Sequence, residues 1–153
     1  MAKRYTIAVD FDGVLNSYES GWQGATVLPD PPVEGAIEWL HEMIQDFDIA
    51  IMSTRNWQEG GIEAMRAWLQ EHTPAPLWYE GGGERGLEDI QFPTSKPPAL
   101  IYLDDRAVRF EGPGTFPSKS DVHRLRPWNK SQKATKTDVI VERPSALPRP
   151  RPY

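Results

Sequence analysis

The chain has 153 residues, 39% hydrophobic and 25% charged, with a formal net charge of −5 and no cysteine. That size suits one ordinary soluble domain with room for a tail, and the lack of cysteine excludes a disulfide framework and any thiolate metal site. A bound metal would have to be held by oxygen or by the three histidines, which points to a hard cation. The charge is unevenly placed: residues 1 to 118 carry 8 Lys+Arg against 19 Asp+Glu, net −11, and residues 119 to 153 carry 9 against 3, net +6. A basic tail on an acidic domain contacts nucleic acid, folds back on its own domain or is simply solvated.

Along the chain, "YTIAV" (residues 5 to 9) is rich in β-branched residues and reads as a buried strand. Its apolar run ends at Asp10, too short for a signal peptide or a membrane span, so a cytoplasmic location is expected. Asp10 and Asp12 follow, separated only by Phe11, and two like charges so placed repel each other. After a loop with Gly21, Gly24 and prolines between residues 29 and 32, the spacing of Val33, Ile37, Leu40, Ile44 and Phe47 predicts an amphipathic helix. "DIAIMST" (48 to 54) predicts a second buried strand, and Ile62, Met65 and Leu69 a second helix over 61 to 72. A turn-rich stretch leads to a short strand at "DIQFP". "ALIYLDD" (99 to 105) is a further apolar run ending in two acids, and "VRFEG" (108 to 112) is one more candidate strand.

Alternating strands and helices imply right-handed crossovers and a mainly parallel sheet with helices on both faces. The expected fold is therefore α/β, a Rossmann-like three-layer sandwich, over residues 1 to 118. Residues 119 to 153 form a basic, proline-rich extension with the composition of a poorly ordered tail. Ligands of such sheets bind beyond the carboxyl ends of the strands. Asp10 and Asp12, Ser53 and Thr54, and Asp104 and Asp105 would meet there. Four carboxylates at one edge call for a cation, and Mg²⁺ held by oxygen ligands and substrate phosphate fits that need.

The same residues carry a family resemblance. "VDFDGV" resembles the first motif of the haloacid-dehalogenase-like (HAD) phosphohydrolase superfamily, in which a strand ends in Asp-x-Asp-Gly. "IMSTR" is similar to the second motif, and "SKPPALIYLDDRA" to the third and fourth, a Lys shortly before a strand that ends in paired acids. The match runs from residue 5 to about 112 in the family's order. One Asp-Gly alone would be weak, because it is also a common hairpin turn; four motifs in order are specific.

The resemblance implies a Mg²⁺-dependent phosphomonoesterase. Asp10 would be the nucleophile that becomes an aspartyl-phosphate. Asp12 would act as general acid and base, with its backbone carbonyl on the metal. Ser53, or alternatively Thr54, would donate to the phosphoryl oxygens, and Lys96 would set its ammonium against the phosphate and Asp10. Asp104 and Asp105 would complete a metal set with Asp10 and Asp12. Gly13, Thr54, Arg55 and Trp57 would contact substrate, Gly13 by allowing a sharp turn.

Plainer roles compete with these: turn caps for Asp10 and Asp12, a helix-leading cap for Ser53 and Thr54, a solvated side chain for Lys96, and a local ion pair with Arg106 for Asp104 and Asp105. His41, His72 and His123 lack ligand spacing. Residues 16 to 32 and 73 to 95 are too short for a large cap domain, so an open cleft is expected, with a flap at 16 to 28 able to close on a nucleotide. Trp22, Trp57 and Trp78 lie in loops or just after strand ends, where tryptophan packs or stacks on a base; Trp39 and Trp68 read as packing residues. By analogy within the superfamily the substrate is expected to be a nucleotide or a nucleic-acid terminal phosphate. The competing reading is a catalytically idle HAD-like fold whose basic tail binds nucleic acid or a protein partner.

Overall fold

The computed structural model describes residues 3 to 74 and 85 to 131. Its elements are β1 (Thr6–Val9), α1 (Ala36–Asp46), β2 (Asp48–Ile51), a 3₁₀ turn at Thr54–Trp57, and α2 (Gly61–His72). A second 3₁₀ turn (Leu87–Asp89), β3 (Ile101–Leu103), α3 (Lys119–Arg124) and α4 (Trp128–Ser131) follow. The strands form one parallel sheet in the order β2-β1-β3, with Ile7 opposite Ile49 and Ile101 and Val9 opposite Ile51 and Leu103. Among the described residues this is an α/β domain built on a three-stranded parallel sheet.

That order places the site. The chain leaves β1, returns beside it as β2, and later adds β3 on the opposite side, so the order reverses at β1. Such a reversal is where a parallel sheet opens a crevice beyond its carboxyl ends. β1 is central and correspondingly buried, with Ile7, Ala8 and Val9 at 3% exposure or less.

Strand alternation puts Ile7 and Val9 on one face with their partners Ile49 and Ile51. These join Ile37, Leu40 and Ile44 of α1 and Met65, Trp68 and Leu69 of α2 in a single core cluster. Each such burial contributes about 1.5–3 kcal/mol, the term that offsets chain entropy. Val33, Phe47 and Ile62 pack only partly against it, and Trp39 does the same, in line with a packing role. Trp68 also meets Phe11 edge-on, with ring centroids 5.0 Å apart, and its indole N–H donates to Asp30 O at 2.9 Å.

Several expectations shift. The first helix begins at Ala36 rather than Val33, because Gly35 adopts φ 81 immediately before it. "DIQFP" contributes one parallel bridge, Gln91 opposite Ala50, and no strand; a 3₁₀ turn precedes it and Pro93, without an N–H, follows. "VRFEG" does not extend either: Phe110 turns onto Phe116 and Glu111 N–H bonds the Thr115 hydroxyl. β3 forms as expected but is not buried, its three residues being 40–48% exposed. The sheet cover expected on both faces therefore stops short of β3.

Residues 119 to 131, expected within the tail, contain α3 and α4. α4 is tied to the loop after β1 by Trp128 Nε1 donating to Gly13 O at 2.6 Å and Asn129 Nδ2 to Ser17 O at 3.3 Å. Most of the proline-rich tail, and Trp78, lie outside the described residues. No helix among the described residues is long and apolar enough to cross a membrane.

Candidate active site

Phe11 explains how two neighbouring aspartates come to face one cleft. It is fully buried against Trp68, so the alternation of the chain turns Asp10 and Asp12 away from the core. Beyond Phe11 the chain folds tightly: the amides of Val14, Leu15 and Asn16 converge on Phe11 O, and Gly13 N–H bonds Asn16 O at 2.8 Å. Gly13 is required there twice over. Its φ is +87, and a Cβ would stand 2.5 Å from Asp105 Oδ2. The missing side chain is what lets the loop after β3 approach the loop after β1.

Asp10, Asp104 and Asp105 each offer a carboxylate oxygen within a group spanning no more than 4.8 Å. Asp10 Oδ1 accepts from Phe11 N–H at 2.7 Å, and Asp104 Oδ1 from Arg106 N–H at 2.7 Å. Asp105 Oδ1 is shielded from solvent and accepts no hydrogen bond. Burial pushes the Asp10 carboxyl up to about 7; Phe11 N–H opposes this, and the charges of Asp104, Asp105 and Asp12 add to it. Asp105 is likewise raised, chiefly by burial. Crowded oxygens, one of them an orphan, form a donor set of the hard type that a magnesium ion takes.

Asp12, expected to reach the metal through its backbone carbonyl, turns its side chain elsewhere. Its carboxylate lies outside the group of three and is paired with Arg55: Nε donates to Oδ2 at 2.9 Å and Nη2 to Oδ1 at 3.0 Å. Asn16 Nδ2 also donates to Oδ1, at 3.0 Å. Arg55, expected to touch substrate, is 1% exposed and points inward. A buried guanidinium must find acceptors, and Asp12 is the nearest carboxylate.

The cleft is an open cavity of about 1240 Å³ into which Asp10, Asp12, Asp104, Ser53, Thr54, Trp57 and Lys96 all face. Ser53 also accepts from Arg55 N–H at 3.2 Å, while Asn56 Oδ1 accepts from Ser53 N–H, so it caps the 3₁₀ turn while bordering the cavity. Lys96 rests its Nζ 4.5 Å from the Tyr102 ring centre; among the described residues it forms no ion pair with Asp10. Trp57 is 55% exposed, with its indole N–H bonded to Thr94 O. Tyr18, Trp22 and Tyr102 add aromatic surface, and Arg106 and Arg109 add positive charge.

The structure thus gathers Asp10, Asp104, Asp105, Ser53, Thr54 and Lys96 about one cleft, with Gly13 beneath and Arg55 behind it. Nothing in the sequence pattern points to Asn16 or Trp128, whose contacts to the Asp12 loop depend on chain that is distant or turned back on itself. Comparison with protein-family models, with curated proteins and with solved structures returns no match for this chain.

Proposed function

We propose that the chain is a Mg²⁺-dependent phosphomonoesterase of the HAD-like type that works through an aspartyl-phosphate on Asp10. The observation that carries this reading is the meeting of Asp10 with Asp104 and Asp105, from the ends of two neighbouring parallel strands, at the mouth of a cavity that Ser53, Thr54 and Lys96 also border. The order of the four sequence motifs supports it independently.

The chemistry follows from the residues. An oxygen of Asp10 attacks phosphorus as the bond from phosphorus to the leaving oxygen breaks, and that oxygen takes a proton from Asp12. Water then attacks the phosphoryl group, gives a proton to Asp12 and releases inorganic phosphate, which restores Asp10. Asp10, Asp104 and Asp105 would hold the cation, which supplies positive charge against the phosphoryl oxygens and the nucleophile. Ser53 or Thr54 donates to the phosphoryl oxygens, and Lys96, which borders the same cavity with its Nζ on the Tyr102 face, supplies positive charge to them. The aromatic rim of Tyr18, Trp22, Trp57 and Tyr102, with Arg106 and Arg109, suits a planar base attached to phosphate. The substrate is accordingly read as a nucleotide or a nucleic-acid terminal phosphate.

The test is hydrolysis of p-nitrophenyl phosphate, nucleoside monophosphates and 3′-phosphorylated DNA, with Mg²⁺ and with chelator. Turnover that needs the ion and is lost by several orders of magnitude in Asp10→Asn is expected. No hydrolysis of any of the three, or full activity in Asp10→Asn, overturns the reading.

A further inference from the structure

We propose that Arg55 is a positioning residue that couples a substrate-facing flap, residues 17 to 31, to the carboxylate of Asp12, so that seating of the flap governs where Asp12 presents its proton. The proposal rests on the phosphatase reading for the proton and on geometry alone for the link.

A residue that anchors phosphate keeps donors turned towards the cavity. Arg55 does not. Nε and Nη2 go to the two oxygens of Asp12, and Nη1 donates to Gly24 O at 2.7 Å and Ala25 O at 2.9 Å. The face of the guanidinium is covered by the Trp22 ring, 4.6 Å from its centre. One buried cation thus joins the catalytic loop to the middle of the flap. Its backbone is held from behind, because a Cβ on Gly61 would lie 2.1 Å from Arg55 O, which packs the turn directly on the start of α2.

The flap is a loop with closed ends. Ser17 N–H bonds Pro31 O at 2.9 Å, and Ser20 donates through both its N–H and its hydroxyl to Asp30. A second thread joins it to Asp12: Tyr18 N–H bonds Asn16 Oδ1, and Asn16 Nδ2 bonds Asp12 Oδ1. Tyr18 has φ 57, alone among the described non-glycine residues in the left-handed region, a conformation that surrounding contacts must impose. Tyr18 and Trp22 both border the cavity, and Trp22 is 45% exposed. A leaving group resting on Trp22 is therefore one residue removed from Arg55 and two from Asp12.

The consequence concerns the proton. Oδ1 of Asp12 accepts from Arg55 Nη2 and Asn16 Nδ2, whereas Oδ2 accepts only from Arg55 Nε, so the lone pair left on Oδ2 is the one that can carry a proton to the leaving oxygen, and its direction follows the guanidinium. Arg55 can shift only as far as Gly24, Ala25 and Trp22 allow. The flap thereby sets the direction of protonation.

Two substrates separate this from a merely structural role. p-Nitrophenyl phosphate has a leaving group that needs no proton near neutral pH; an alkyl phosphate such as glycerol phosphate has one that does. Arg55→Lys and Trp22→Ala are expected to lower kcat on the alkyl phosphate by about tenfold or more beyond their effect on the aryl phosphate, since general acid catalysis is worth about 10²–10⁴. Equal losses on both substrates, or a change in KM alone, overturn the proposal. A substrate-free arm reads the link itself: iodide quenching of Trp22, taken as wild type minus Trp22→Phe, should increase in Asp12→Asn. Unchanged quenching overturns the coupling whether or not the protein hydrolyses anything. Wild-type protein inert on both substrates overturns the phosphatase reading alone, because the quenching arm still decides the link.

Discussion

Asp10 and Asp12 stand two residues apart on one strand end and live in opposite surroundings. Asp12 has its own cation, a buried arginine bound through two hydrogen bonds, with Asn16 adding a third. Asp10 has neighbours of its own sign and a carboxyl pushed up to about 7. The protein has given one carboxylate a buried cation and left the other among carboxylates, Asp104 and Asp105, with Arg106 beside that pair. Under the proposed function, that group is where Mg²⁺ would be held.

Breaking the compensated side should have the largest effect. Arg55→Ala leaves Asp12 with only the Asn16 amide and takes the Arg55 donor from two flap carbonyls, and removing one member of a buried pair costs about 3–5 kcal/mol. Urea unfolding at pH 7 checks this; a loss below about 1 kcal/mol, the range of surface pairs, would mean that the pair is effectively solvated.

The uncompensated side predicts a pH dependence of opposite character. Asp10 has a folded value of about 7 against 3.8 for the free group. Its protonation favours the fold fully below about pH 4, and that contribution is lost as pH rises through about 7, at most about 4 kcal/mol. Metal-free wild type should therefore lose stability from pH 4 to 8 relative to Asp10→Asn, and Mg²⁺ should raise the melting temperature more at pH 8 than at pH 5. Parallel stability profiles for the two proteins, or a Mg²⁺ effect of equal size at both pH values, would contradict the assignment.

Gly13→Ala sharpens the comparison by moving the two sides apart. The φ of +87 costs a non-glycine residue about 1–2 kcal/mol, and the new methyl must displace Asp105. A fall in Mg²⁺ affinity, read by calorimetry, should accompany the loss of stability. Ser53→Ala should be mildest, about 1 kcal/mol for a lost cap. A fall in kcat beyond what that loss explains would show that the hydroxyl also serves the phosphoryl group.

Much of this was legible in the sequence, because it depends on local order. Short apolar runs rich in β-branched residues marked Thr6–Val9 and Asp48–Ile51, period 3.6 marked both helices, and the acids were placed at strand ends. The chain alone could state which residues reach the carboxyl edge of a parallel sheet, since that follows from alternation and crossover. It could not say which charges would find partners there. Arg55 sits in a motif position that suggests substrate contact, and only the return of residues 17 to 31 over it supplied the carbonyls and ring that turned it inward. β3 reads as buried by composition, yet its exposure depends on what lies across the sheet. Strand ends are set by neighbours in sequence; pairing, burial and proton affinity are set by neighbours in space, and those the folded chain alone decides.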